Sequence, residues 1–170
     1  MILPPPSPSG PPPVVPLLPS VQNCFHIGYV VPDLDEAMQR LSASAGLRWA
    51  AARTLPVTLR TPAGELSTEV NLTYSMQGPP HLELIAEQPG TIWGSEHHGL
   101  HHLGYWSGRF ADDIDALTRA GFEVEAGAVD QHGALSRFAY LREPHTGLRV
   151  ELRDEARRPA MEQWLRGEGP

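Results

Sequence analysis

The chain has 170 residues, 41% of them hydrophobic and 19% charged, a composition typical of a globular protein with a single main core. Its formal net charge of −7 argues against a nucleic acid or an anionic membrane as partner, since proteins that bind these carry basic surfaces. The single cysteine excludes an intrachain disulfide, and no apolar run approaches the roughly 20 residues of a membrane span, so we expect a cytoplasmic protein.

The start of the chain differs in composition from the rest. Residues 1–20 contain nine of the 18 prolines, which remove backbone hydrogen-bond donors and favour extended structure. We therefore predict a disordered tail at residues 1–20, a folded domain at residues 21–155, and a C-terminal helix or tail at residues 156–170. In this last segment Met161 and Trp164 are three residues apart, and we expect them either to seal a dimer contact or to cap a cavity.

The first half of the domain, about residues 24–87, predicts a strand, a helix and three further strands. The strand FHIGYVV is followed by a segment with apolar residues at helical spacing, for which Asp33 is the expected N-cap and Gly46 the expected stop. The runs PVTLRTP, LSTEVNLTYSM and HLELIAE then read as strands separated by turn-forming residues.

The same order recurs over about residues 101–154, after a linker at residues 88–100. The second copy reads HHLGYWS, the helical FADDIDALTRAGF, and the strands FEVEAGAVD, LSRFAYLRE and GLRVELRDE. Both copies begin with a histidine two residues before a glycine, and both end in a glutamate between apolar neighbours. The fold class is therefore predicted to be α+β, built from two tandem βαβββ modules.

Equivalent histidines and glutamates in the two copies are candidate metal ligands. An ionised glutamate on the inner face of a sheet is costly unless it is paired or binds a metal. If the modules pack around a pseudo-two-fold axis, His26, Glu83, His102 and Glu151 converge on one point. The neighbouring His101 is expected on the opposite face of its strand from His102, because strand side chains alternate. Imidazole and carboxylate ligands suit a divalent transition metal.

The segments FHIGYVVPDLDEA, HLELIAE, GLHHLGYWS and TGLRVELRD resemble the vicinal oxygen chelate superfamily, which includes glyoxalase I, methylmalonyl-CoA epimerase, extradiol dioxygenases and bleomycin-resistance proteins. The resemblance implies a curved mixed sheet around a central cavity, with metal ligands on the first and last strands of each module. It assigns these to His26, Glu83, His102 and Glu151, holding one divalent ion of Ni, Co, Zn, Mn or Fe. The ligand order resembles that of bacterial glyoxalase I, whereas epimerases usually have glutamine in place of Glu83.

The resemblance implies an enzyme that stabilises an enolate or enediolate of a small carbonyl substrate by chelation to the metal. The reaction is then that of an isomerase, an epimerase or a glyoxalase-type lyase, with Glu83 and Glu151 as candidate bases and a preference for Glu151. One alternative is an extradiol-type iron dioxygenase using His26, His102 and Glu151. Another is a metal-free small-molecule or antibiotic-binding resistance protein.

Two arrangements of the modules remain open from the sequence. Modules in this superfamily pair within one chain or swap between two chains. We expect a homodimer, since cyclic dimers are the commonest oligomers.

Overall fold

A computed structural model of the protein describes residues 24–168; the tail predicted at residues 1–20 lies outside the described residues. The elements follow the predicted duplicated order. Their bounds are β1 (His26–Val31), α1 (Leu34–Ala45), β2 (Arg53–Thr61), β3 (Gly64–Tyr74), β4 (His81–Ala86), β5 (Gly99–Ser107), α2 (Phe110–Arg119), β6 (Glu123–Val129), β7 (Leu135–Arg142), β8 (Arg149–Asp154) and α3 (Arg158–Leu165). The prediction of two βαβββ modules is confirmed.

The eight strands of the described residues close into a barrel in the order β1-β4-β3-β2-β6-β7-β8-β5. Within each module the first and last strands pair in parallel, β1 with β4 and β5 with β8, and every other pair is antiparallel. The modules meet at two seams, β1 against β5 and β2 against β6. One chain therefore completes the barrel without strands from a second chain.

Local signals in the sequence account for the bounds of α1. The side chain of Asp33 accepts a hydrogen bond of 2.8 Å from the backbone N–H of Glu36, the N-cap contact that the sequence predicted. At the other end Gly46 takes the left-handed conformation with φ 68°, which glycine adopts without steric cost, and its N–H bonds to carbonyls of the last turn. Leu34 is buried on the sheet side, so the predicted apolar face anchors the helix to the barrel.

The C-terminal helix α3 packs on the barrel of its own chain. Met161 and Trp164 are buried, and Trp164 donates a hydrogen bond of 2.8 Å from its indole N–H to the carbonyl of Ala51. Its ring also meets Tyr74 edge to face at 5.3 Å. Met161 and Trp164 line a cavity, as one of the two roles predicted for this segment requires. The other predicted role, a dimer contact, stays a prediction. No helix among residues 24–168 is long and apolar enough to cross a bilayer.

A half-buried ion pair ties β6 to β8. The Glu125 carboxylate accepts hydrogen bonds from Arg149 Nε at 2.5 Å and from Arg142 Nη1 at 3.2 Å. Partial burial opposes ionisation, but these two arginines outweigh it and lower the pKa of Glu125. Because the folded pKa lies below the unfolded value, the pair stabilises the fold above about pH 4.3 and this contribution is lost as the pH falls.

We therefore expect Glu125→Gln to lower the free energy of unfolding at pH 7 by about 1–2 kcal/mol, with little difference from wild type at about pH 3. Urea unfolding at both pH values measures the change. Glu65→Gln, which breaks the exposed pair with Arg60, is the control and should cost much less. An equal loss at both pH values would show that Glu125 acts through packing and not through its charge.

Candidate metal centre

The seam between β1 and β5 explains why each copy repeats a histidine two residues before a glycine. In the antiparallel register His26 lies opposite Gly104, and Gly28 lies opposite His102. A Cβ atom on Gly104 would lie 1.9 Å from Cε1 of His26, and one on Gly28 would lie 2.0 Å from Cε1 of His102. Each imidazole therefore occupies the space that the glycine of the other module leaves free.

The parallel strand pairs bring the glutamates to the same place. Gly28 is in register with Glu83 of β4, and Gly104 is in register with Glu151 of β8. Each glycine is thus flanked by a glutamate of its own module and a histidine of the other module. Two such rows, related by the duplication, face one another across the seam.

The four side chains form one buried cluster, with exposed fractions of 0–2%. His26 Nε2 lies 2.8 Å from His102 Nε2 and 3.0 Å from Glu151 Oε2. His102 Nε2 lies 3.1 Å from Glu83 Oε2. One ligand atom from each of the four residues lies within 4.8 Å of all the others, a spacing that could hold a metal ion. The structure therefore brings together all four residues that the sequence singled out.

The polar atoms of this cluster fit a divalent cation. Glu83 Oε2 and Glu151 Oε2 are buried and accept no hydrogen bond from the described residues. Burying two carboxylates side by side costs several kcal/mol per ion unless positive charge is present. Burial alone would lower the pKa of His26, but Glu83 and Glu151 outweigh it and raise that pKa to about 9. Two carboxylates and two imidazoles match the ligand preferences of Zn, Ni, Co, Mn and Fe.

His101 supports His102 and was not predicted to do so. In the pairing of β5 with β1, Gly28 is opposite His102 and Tyr29 is opposite Leu100, so His101 is the extra residue of a bulge. The bulge turns its ring toward His102, with 2.8 Å between the two Nδ1 atoms. The expectation that His101 faces away from His102 is therefore wrong, because strand alternation does not hold across a bulge.

The hydrogen bonds of His101 select the form of His102 that can bind metal. His101 Nε2 lies 2.9 Å from the carbonyl of Ile92, to which it can only donate. Burial, together with the nearby His102, lowers the pKa of His101 to about 2, so the ring is neutral and its Nδ1 must accept. His102 then donates from Nδ1, and its Nε2 faces the cluster, where it contacts His26 Nε2 at 2.8 Å.

We expect His101→Phe to weaken zinc binding by about tenfold or more, since the ring volume stays but the acceptor for His102 is lost. Competition with a chromophoric zinc chelator measures the affinity without reference to any activity. His145→Phe, at an exposed turn, is the control. Unchanged zinc affinity in His101→Phe would show that the orientation of His102 does not depend on this hydrogen bond.

Tyr74 and Arg153 hold Glu83 from the other side. The Tyr74 hydroxyl donates a hydrogen bond to Glu83 Oε1 and accepts one of 2.9 Å from Arg153 Nη1. Burial, with a contribution from Glu83, raises the pKa of Tyr74 well above its ordinary value, so the hydroxyl keeps its proton. Arg153 Nη1 also lies 3.7 Å from Glu151 Oε2. The one signal for Arg153 in the sequence is its position two residues after Glu151, on the same face of a strand.

A cavity of about 270 Å³ opens from the cluster toward α3. Glu83 and Glu151 form part of its wall. Aromatic side chains line much of the rest, namely Trp93, Phe138, Tyr140 and Trp164. Trp93 donates a hydrogen bond of 3.2 Å to the Tyr140 hydroxyl, which orients both rings. The volume is near the low end of the range of about 300–1,000 Å³ for small-molecule sites, so the reacting part of a ligand must be small.

The fold is a barrel of two βαβββ modules around a cluster that could hold a metal ion, and sequence comparison agrees with this fold. The profile of the Glyoxalase/Bleomycin resistance protein/Dioxygenase superfamily matches residues 25–140, and the chain belongs to this superfamily. A search of curated protein sequences gave no match.

Several solved structures share the fold. Methylmalonyl-CoA epimerase from Mycobacterium tuberculosis is similar with a TM-score of 0.58 and 16% identity, over 85% of this chain and 96% of that one. A Streptomyces coelicolor methylmalonyl-CoA epimerase variant in complex with 2-nitronate-propionyl-CoA is similar with a TM-score of 0.55 and 16% identity, over 79% of this chain and 97% of that one. A hypothetical protein from Bacillus halodurans C-125 is similar with a TM-score of 0.53 and 16% identity, over 78% of this chain and 93% of that one. At this identity the similarity establishes the architecture, not the reaction.

Proposed function

We propose that the protein is a metal-dependent enzyme that moves a proton on the carbon next to a carbonyl group of a small substrate, as an isomerase, an epimerase or a glyoxalase-type lyase. The observation that carries this proposal is the buried cluster of His26, Glu83, His102 and Glu151, with two of its carboxylates in the wall of a cavity. The epimerases among the structural neighbours support the same reaction class.

The four clustered side chains would hold one divalent ion. When bound, the ion would supply positive charge that stabilises the negative charge developing on the substrate as its proton leaves. The imidazoles of His26 and His102 and the carboxylates of Glu83 and Glu151 suit this role, since the two carboxylates would offset the charge of a divalent ion. The aromatic walls of the cavity would exclude water and so strengthen these interactions.

Glu151 is our proposed proton-transferring base, and Glu83 is the second candidate. Glu83 is held at Oε1 by the Tyr74 hydroxyl, which restrains its carboxylate. In the part of the chain that the structure describes, Glu151 accepts no hydrogen bond from a tyrosine, and its Oε2 lies 3.0 Å from His26 Nε2 and 3.7 Å from Arg153 Nη1. Burial would raise the pKa of Glu151, but Arg153 and the histidines outweigh it and lower that pKa, so the carboxylate is ionised and able to accept a proton.

The two alternatives have less support. A two-histidine, one-carboxylate iron site for dioxygenation leaves open positions for substrate and dioxygen, and Glu83 lies among the other three ligands where such a position is needed. A metal-free binding protein has no use for two buried carboxylates side by side. The homodimer stays a prediction, and because one chain supplies all four side chains the site needs no residue from a partner.

The test combines metal content with proton exchange. Elemental mass spectrometry of protein purified without chelators should find about one divalent ion per chain. The loaded protein is then incubated in D2O with methylmalonyl-CoA and, separately, with the hemithioacetal of methylglyoxal and glutathione. We expect metal-dependent deuterium incorporation, or conversion, with one of them, and its loss in Glu151→Gln. Bound metal with neither reaction would contradict the proposed reaction class, and the absence of metal binding would contradict the metal site.

A further inference from the structure

Arginines are concentrated around the cavity of an otherwise acidic protein. All 13 basic residues of the chain are arginine, against 20 acidic residues, yet the cavity is lined by four of them. These are Arg53, Arg137, Arg153 and Arg157. Four arginines against the two glutamates of the wall leave positive charge in excess in the cavity lining, and such an excess attracts anionic ligands even when the net charge of the protein is negative.

Two of the four arginines have no neutralising carboxylate among residues 24–168. Arg53 lies over the ring of Trp164, and Arg153 bonds to Tyr74 near the glutamates. The guanidinium groups of Arg137 and Arg157 have no carboxylate within ion-pair distance in the part of the chain that the structure describes. Arginines close by in the fold do have one: Arg142 and Arg149 pair with Glu125, and Arg158 pairs with Glu155.

The backbone at Arg137 is unusual in a way that points to a function. Its φ of 65° lies in the left-handed region, and no other non-glycine residue between 24 and 168 adopts it. The position falls where the pairing of β7 with β6 shifts register, between the pairs formed by Gly127 and Val129. Strain of this kind persists where the surrounding structure enforces it, and it clusters at ligand sites.

The half-buried Arg137 is also held close to like charge. Burial and the nearby charges of Arg157 and Arg153 lower its pKa, which reflects electrostatic repulsion in the ligand-free cavity. A divalent ion at the glutamates would cancel their two negative charges, and the positive charge of the three arginines would then be in excess. An anionic ligand group would relieve this repulsion.

We infer that Arg137 and Arg157 form an anion subsite that binds a carboxylate or phosphate ester of the substrate. Arg157 is exposed and Arg137 half-buried, so this subsite lies at the outer end of the cavity, away from the buried Glu83 and Glu151. The substrate class is accordingly a small carbonyl compound with an apolar or aromatic body and an anionic group at its far end. Guanidinium groups bind both kinds of oxyanion through paired hydrogen bonds. The inference rests on the proposed function for the metal end of the substrate.

The experiment compares two probes that differ in one group. Both 3,4-dihydroxybenzoate and 4-methylcatechol offer two adjacent oxygens to a metal, but only the first carries a carboxylate opposite them. With zinc-loaded protein, isothermal titration should show 3,4-dihydroxybenzoate binding about tenfold more tightly or better. Arg137→Gln and Arg157→Gln should each reduce this preference, and the double variant should abolish it. Arg158→Gln removes the same charge one residue away, outside the cavity lining, and should keep the preference.

Each outcome decides one part of the inference. Equal affinity for the two probes, or an equal loss in Arg158→Gln, would overturn the anion subsite while leaving zinc binding and the proposed function intact. If zinc itself does not bind, the proposed function fails, and the subsite is tested on the metal-free protein with benzoate and phenyl phosphate against benzyl alcohol. Binding of benzoate or phenyl phosphate that Arg137→Gln removes would support the subsite. The probe that binds more tightly would identify the anionic group as carboxylate or phosphate. No preference for either anion over benzyl alcohol would overturn the subsite.

Discussion

His102→Ala is expected to yield protein purified without its metal ion and to weaken zinc binding by about 100-fold or more. The variant removes one of four ligands at the centre of a buried cluster, and it leaves Glu83 Oε2 without the imidazole 3.1 Å away. Elemental mass spectrometry measures the stoichiometry, and chelator competition measures the affinity. Loss of the ion should also abolish proton exchange on the substrate.

The matched control is His132→Ala, which removes a histidine from an exposed loop. It should bind zinc as wild type does. Circular dichroism and urea unfolding of the metal-free proteins separate ligand loss from misfolding, since the barrel must be intact in His102→Ala for the result to count. A folded His102→Ala protein with wild-type zinc affinity would rule out the four-residue metal centre.

Gly104→Ala is expected to be nearly as damaging, although the side chain it adds is only a methyl group. The new Cβ atom would lie 1.9 Å from Cε1 of His26, far inside van der Waals contact, and the ring is fully buried. Forcing a group into a packed interior costs about 1–3 kcal/mol and displaces its neighbours. We therefore expect a loss of stability of about that size, together with loss of tight zinc binding because His26 moves.

Gly108→Ala provides the comparison, since a Cβ atom there would meet only the end of the Glu155 side chain, at 3.1 Å. That carboxylate can move, so stability and zinc binding should change little. Gly28→Ala should reproduce Gly104→Ala through His102, as the duplication requires. Normal zinc affinity in both seam variants would mean that the histidines do not depend on the opposing glycines for their position.

The proposed metal ion would link metal binding to the stability of the fold. Without an ion, two carboxylates are buried against His26, whose raised pKa of about 9 keeps a compensating proton at neutral pH. A cation that binds the folded state and not the unfolded chain stabilises the fold in proportion to its affinity and concentration. The arginines that line the cavity contribute to the same balance of charge as Glu83, Glu151 and the proposed ion. An anion at the outer end of the cavity would offset the positive charge of these arginines.

Much of the fold could be predicted from the sequence because its determinants are local and occur twice. The N-cap at Asp33 and the left-handed stop at Gly46 depend on a few neighbouring residues, and strand alternation depends on fewer still. The duplication matches His26 with His102, and Glu83 with Glu151, from the sequence alone. Equivalent positions that lie near the axis become neighbours when the two copies pack around it, as the two histidines and two glutamates do.

Features created by long-range contacts could not be predicted from the sequence. A bulge of one residue turns His101 toward His102, and nothing near it in the sequence marks the extra residue. Arg153 meets Tyr74 across 79 positions of sequence because barrel closure sets β8 and β3 on opposite sides of one interior. Closure of the barrel within one chain likewise depends on the pairing of β1 with β5 and of β2 with β6. The sequence did not distinguish this pairing from the same pairing between two chains. Local propensities define the pieces, whereas packing of the closed barrel determines which side chains meet.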